Sequence, residues 1–386
     1  MASAACLLVL AVTACARLHR SEIDCTPEQI NRLFTADVVH LQADTSSVVH
    51  IDATDVMEAQ FDFADIVRDL RFIPLETTKD SRLGSVCRLI FTDDRILASD
   101  AKGVKAFDSN GKFVGAIPYG SLSPKNDFSI DRSSGEILVY TQGSIGHYDM
   151  DCHRRWVEGF PLTFSAMNTT RSGDNLVMFF GPDDENPVLE DLDGAPFLVM
   201  NRKGAIVARP DVPDREQVPP REGPALQSAG ANVALSKSCC DTIFALTDSS
   251  FDAKYILHYP RPKSMDPEQR RVDNFFAGNA LMTDRGGLFF KLQSDRANTV
   301  FAFYDDSTHH LIGGRPDFDY RLIPPIYNPI ATCGGYYASI FNTYLTDEDN
   351  DRFTFLGNIV PDTSKAALRG IRHDDNPVVV LFRVEF

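Results

Sequence analysis

The residues most able to do chemistry come in runs of carboxylates. "PDDENPVLEDLDG" holds Asp183, Asp184, Glu185, Glu190, Asp191 and Asp193. "TDEDNDRF" holds Asp347, Glu348, Asp349 and Asp351, and Asp374-Asp375 form a third group. Carboxylates at alternate positions supply hard oxygens to Ca²⁺. Asp347-x-Asp349-x-Asp351 begins that pattern, but Arg352 stands where the loop needs glycine and Asn358 where it needs a closing Glu. The runs therefore read as solvated loops, and no metal ligand set is expected. The nine histidines are scattered: His309-His310 are adjacent, and His147 and His153 flank a turn. Neither H-E-x-x-H nor G-x-S-x-G occurs, so neither zinc hydrolysis nor a nucleophile elbow has support. Aromatic rings could stack on a sugar. The single tryptophan, Trp156, fits a strand, whereas Tyr320, Tyr327, Tyr336, Tyr337 and Tyr344 gather late in the chain. Tyr336 and Tyr337 follow Gly334-Gly335, so strand alternation turns one ring outward and packs the other. Both are candidate ligand-face residues.

The elements that would position such residues are strands. With 54 acidic against 38 basic side chains the net charge is −16, which excludes a nucleic acid or an anionic lipid surface as a partner. No run of Lys or Arg exceeds two. Cys6 to Ala14 form an apolar run too short to span a bilayer and suited to the h-region of an export signal. The run ends in Val12-Thr13-Ala14-Cys15, which resembles a bacterial lipobox with Cys15 as the lipidated residue. Three segments follow: 1–15 as a lipoprotein signal peptide, 16–47 as a polar tether, and 48–386 as the folded domain. Within the tether, Thr26–Phe34 reads as a short helix capped by Thr26 with Pro27 at its first position. Cys25, Cys87, Cys152, Cys239, Cys240 and Cys333 form no C-x-x-C pair and read as free thiols.

The middle of the chain repeats loosely. Phe107-Asp108, Tyr148-Asp149, Met200-Asn201, Leu246-Thr247 and Tyr304-Asp305 occupy one slot, each closing a strand before a polar turn. Ser109-Asn110-Gly111 and Arg202-Lys203-Gly204 supply the positive φ that such a turn needs. Repeats of about 40–50 residues, each a small antiparallel sheet, indicate a β-propeller. Radial packing covers each blade on both faces, which accounts for strands apolar throughout, such as "NLVMFF" and "GGLFFKL". The chain ends on "DDNPVVVLFRVEF", a strand with no polar tail. A ring closed by pairing of N- and C-terminal strands requires such an ending.

"FIPLETT" (Phe72–Thr78), "CDTIFAL" (Cys240–Leu246) and "DDNPVVVLFRVEF" (Asp374–Phe386) resemble, in order and position, motifs of the six-bladed β-propeller lipoproteins of Bacteroidota. The resemblance implies an all-β, six-bladed propeller in the cell envelope. Family members carry a glycine-rich loop after the first blade. Here it reads "YGSLSPKNDF", a departure that keeps Gly120, Pro124, Asp127 and Phe128 in roughly matching places and lacks the other glycines; Asp127 is a third candidate for the ligand face. The function expected is that of a lipid-anchored binding or assembly module for a protein or glycan partner, with no cofactor and with membrane contact through the anchor alone. Ala16, Arg17, Leu18, His19 and Arg20 hold no acidic run, which favours an outer-membrane lipoprotein facing the periplasm. The other reading is a metal-dependent hydrolase or lyase with its site in the central channel. Three or more carboxylate, Asn or His side chains converging there would mark it.

Overall fold

A computed structural model describes residues 26–386 apart from 62–65, 121–122, 124, 182, 193, 213–225, 231, 238–239, 261–274, 277–279, 294–298, 317–327, 344–367 and 369–370. Six mainly antiparallel sheets form the blades of a propeller. Blade one comprises Arg88–Phe91, Arg95–Asp100, Gly103–Asp108 and Phe113–Pro118, from the axis outward. Blade two comprises Asp127–Asp131, Glu136–Thr141, Ser144–Tyr148 and Arg154–Gly159. Blade three starts at Ala166–Thr169, blade four at Leu226–Ala229, blade five at Leu281–Met282 and blade six at Ala331–Cys333. These first strands line the central channel.

The core is divided among the gaps between blades. Ile137 and Val139 of blade two pack with Leu97, Val104 and Ile117 of blade one. Their sequence neighbours Leu138 and Tyr140 pack the other way, with Met178, Leu198 and Ile206 of blade three. Six such apolar clusters occupy the six interfaces. A strand between two neighbours must be apolar on both faces, which is why period-two alternation is weak here.

The repeated polar slot has one job. Asp108 Oδ1 accepts from the backbone N–H groups of Asn110 and Lys112, Asp149 Oδ1 from Asp151 and His153, and Asn201 Oδ1 from Lys203 and Ala205. Thr247 Oγ1 takes those of Ser249 and Ser250, and Asp305 Oδ1 that of Ser307. Each side chain satisfies the turn between the third and fourth strands of its blade, the use to which short Asx and Thr side chains are suited. Gly111, in the first of these turns, has φ 84° and lies against the carbonyl of Pro74, where a Cβ has no room.

The N-terminal segment corrects the expected boundary. Residues from Thr26 onward are part of the fold and not a tether. Thr26 caps the helix Pro27–Arg32 in a reciprocal capping box with Gln29. Leu33 is then buried among Tyr140, Phe164 and Ile206. The chain goes on to add a parallel outer strand to three successive blades: Val39–Leu41 on blade three, Val49–Asp52 on blade four and Gln60–Phe61 on blade five. Polar composition misled because a strand laid on an outer edge buries few side chains; Val39 and His40 are exposed while their backbones pair.

The belt ends as Val67–Pro74, the outer strand of blade six, paired antiparallel with the terminal strand Val378–Val384. That strand pairs on its other side with Tyr336–Phe341. Val378, Val380 and Phe382 face blade five, and Val379 and Leu381 face blade one, all of them buried. The ring is closed by strands from both ends, as expected. Two of the sequence motifs meet at the seam. Asn376 N–H donates to Thr77 Oγ1 at 2.7 Å, and Asn376 Nδ2 donates to the carbonyls of Glu76 and Ser81 at 2.8 and 2.9 Å. Asn376 Oδ1 accepts from Leu83 N–H at 2.8 Å.

Candidate functional site

Blade two is a four-stranded sheet whose outer strand, Arg154–Gly159, pairs on one side only among the described residues. On that strand Trp156 is 47% exposed, next to the exposed Val157. Register places His147 directly opposite, and the two rings stack with centroids 3.5 Å apart and planes 13° from parallel. The imidazole is fixed at both nitrogens, with Glu136 at 3.0 Å from Nδ1 and Glu158 at 3.3 Å from Nε2. Donation from both nitrogens belongs to the imidazolium. Burial opposes that charge, but the hydrogen bonds to Glu158 and Glu136 outweigh it and hold the His147 pKa above its usual value. Arg155 completes the group through Glu136 at 3.1 Å.

This aromatic pair forms one wall of a groove of about 300 Å³ between blades two and three, roofed by Gln29, Arg32 and Leu33. Its charges are matched locally: Arg202 pairs with Asp131 at 3.0 Å and Asp174 at 3.6 Å, and Arg32 with Glu28 at 2.8 Å. Gln29 Nε2 donates to the carbonyl of Gly159 and so ties the N-terminal helix to the groove's outer lip. The result is an indole with one face held by His147, beside amide and carboxylate groups. Such a surface offers stacking and hydrogen bonds together.

The residues singled out from sequence lie elsewhere. Tyr336 is buried, with the guanidinium groups of Arg71 and Arg383 at 4.7 and 4.2 Å from its ring centroid. Its hydroxyl donates to Asp69 and accepts from Arg71. Tyr337 is buried among Phe289, Phe303 and Phe382. Neither ring faces outward, because the second strand of a blade is covered on both sides. Asp127 is also buried, on the first strand of blade two; it pairs with Arg88 at 2.5 Å and accepts from Met167 N–H at 2.8 Å, binding blades one, two and three together. Its place is at the start of a strand and not in a loop. Asp184, read as solvated, is a buried partner of Lys125 at 2.8 Å. The cluster at 347–351, Tyr320, Tyr327, Tyr344 and Cys15 lie outside the described residues. Among the described residues no three His, Cys, Asp or Glu side chains converge to hold a metal ion.

The sequence profile of the Domain of unknown function (DUF4934) matches residues 47–383. The chain belongs to the DUF4934 family. The match begins after the helix and after the first belt strand, so both precede the family's domain. Comparison with curated proteins gives no match. Among solved structures, a protein of Bacteroides fragilis NCTC 9343 described as exported is similar at TM-score 0.64 and 14% identity, over 88% of this chain and all of that one. A protein of unknown function from Bacteroides thetaiotaomicron VPI-5482 aligns at TM-score 0.44 and 11% identity, over 82% of this chain and 76% of that one. The first likeness bears on the fold, and it agrees with a six-bladed propeller.

Proposed function

We infer that this DUF4934 protein is an exported, lipid-anchored binding module that takes a neutral saccharide in the groove between blades two and three. One observation carries the reading: the sole tryptophan is exposed on a wall made rigid by His147, itself gripped by two carboxylates. Fixing a platform in advance reduces the ordering entropy that binding would otherwise cost. The matched charges favour a ligand recognised by its ring faces and hydroxyls over one recognised by net charge. Anchoring through Cys15 and a periplasm-facing position at the outer membrane follow from the lipobox and the residues behind it. The exported description of the Bacteroides fragilis neighbour supports that address.

Because Trp156 is the only tryptophan, its emission reports on the groove directly. Titration with neutral oligosaccharides should shift that emission saturably, and Trp156→Ala should abolish binding measured by calorimetry. Saccharides that leave emission and heat unchanged would overturn the reading. Protein capture lost in Trp156→Ala, without saccharide binding, would place a protein on this face instead. For the anchor, mass spectrometry of the envelope-extracted protein should find an acylated N-terminal Cys15; an intact Met1 would refute it.

A further inference from the structure

The central channel holds a second cavity, separate from the groove, of about 320 Å³. Its walls are the first strands of blades one, four and six, and its mouth is framed by turns carrying Asp93, Arg132 and Asp284. Gln227, the second residue of the first strand of blade four, lines it and is 8% exposed. Its Nε2 has no hydrogen-bond partner among the described residues. A buried amide left unpaired destabilises a fold, and native proteins retain few of them. Arg88 lines the same space, almost fully buried; its Nη1 donates to Asp127 and to the carbonyl of Met167, and its guanidinium lies 5.7 Å from the centroid of the Phe128 ring. Arg132 reaches in from blade two and donates to the carbonyl of Phe91 at 3.3 Å.

We propose that this cavity binds a small carboxylate bearing hydroxyl or ammonium groups, its oxyanion received by Gln227 Nε2 and the Arg88 guanidinium, its donor groups turned toward Asp93 and Asp284. The chemistry follows from depth. The inner groups are hydrogen-bond donors, and a buried donor is best answered by an anionic acceptor. The carboxylates stand at the mouth, where they accept from the opposite end of the ligand. The volume suits a molecule of monosaccharide or amino-acid size. The cavity shares no lining residue with the groove, so this site stands or falls independently of saccharide binding there.

Calorimetry on the intact protein tests the proposal with two matched pairs: D-glucuronate against D-glucose, and L-serine against ethanolamine. Within each pair the first member carries the carboxylate and the second lacks it. At least one carboxylate should bind, at least tenfold tighter than its counterpart. Gln227→Leu should weaken that binding at least tenfold while the melting midpoint stays level or rises, since an unpaired buried amide is replaced by an apolar group of similar shape. A residue with a purely structural role would instead lower the midpoint. Failure of both carboxylates to bind, equal binding of a counterpart, or unchanged binding in Gln227→Leu would each overturn the proposal.

Discussion

Replacing Asn376 with alanine should destabilise the ring at its seam. The side chain is 3% exposed and answers three backbone groups that no ladder reaches: the carbonyls of Glu76 and Ser81 and the N–H of Leu83. Alanine takes that partner from the Ser81 carbonyl and the Leu83 N–H, while the Glu76 carbonyl still accepts from the Ser81 hydroxyl at 2.6 Å. Each buried polar group left unsatisfied costs about 1–3 kcal/mol. Water entering the vacated space would recover part of this, so we take the lower half of the range, about 2–4 kcal/mol for the two groups together. Against a total stability of about 5–15 kcal/mol that is a large fraction. At about 2 °C per kcal/mol for a large domain, the midpoint should fall by roughly 4–8 °C. Asn376→Asp should fall at least as far, because a carboxylate would then face two carbonyls. Far-UV circular dichroism during heating, with urea titration as a second measure, gives the comparison. A midpoint for Asn376→Ala within about 2 °C of the parent would show that the seam is held by the strand ladder alone, and the reasoning would fail.

Other outcomes follow from the same structure. Phe382→Ala, emptying a fully buried position between blades five and six, should cost about 3–5 kcal/mol by urea titration. Deleting residues 1–45 should lower the midpoint by several degrees, because Leu33 and the pairing of Val39–Leu41 with blade three are lost; an unchanged midpoint would restore the tether reading. NMR titration of the His147 ring should give a midpoint above the ordinary value of about 6.5. Since the folded pKa is raised, the stabilisation from its two carboxylates is complete below that ordinary value and fades as pH climbs through the folded midpoint. Glu136→Gln should bring the midpoint down, and a wild-type midpoint at or below 6.5 would refute the pairing.

The blades were legible in the sequence because their turns are made by local chemistry: Asp108, Asp149, Asn201, Thr247 and Asp305 each cap the chain that follows within a few residues. The closing strand was legible for a different reason. A terminus as apolar as Val378–Phe382 must be covered on both faces. The belt was not legible, since a parallel outer strand is held by backbone pairing, and pairing leaves little trace in side-chain type. The site was not legible either. Trp156 and His147 lie on different strands, and only the hairpin register, shifted by a bulge between His147 and Tyr148, sets them face to face. Reading Ser144–Tyr148 and Arg154–Gly159 as a paired hairpin would have been the one signal available. Tyr336 and Tyr337 misled because strand alternation promised one outward ring, whereas their strand is the second of its blade and is covered on both faces.

The belt also sets an order in time. Val39 has no partner until Ala208 exists, Val49 none until Tyr255, Gln60 none until Arg315 and Val67 none until Val384. Contacts between residues so distant in sequence form late, because the intervening loop must close first. The part of the chain that leaves the ribosome first is therefore the last to find its place. During folding the N-terminal strands stay unpaired while blades one to five take shape behind them, and the hoop tightens only when the final strand has arrived.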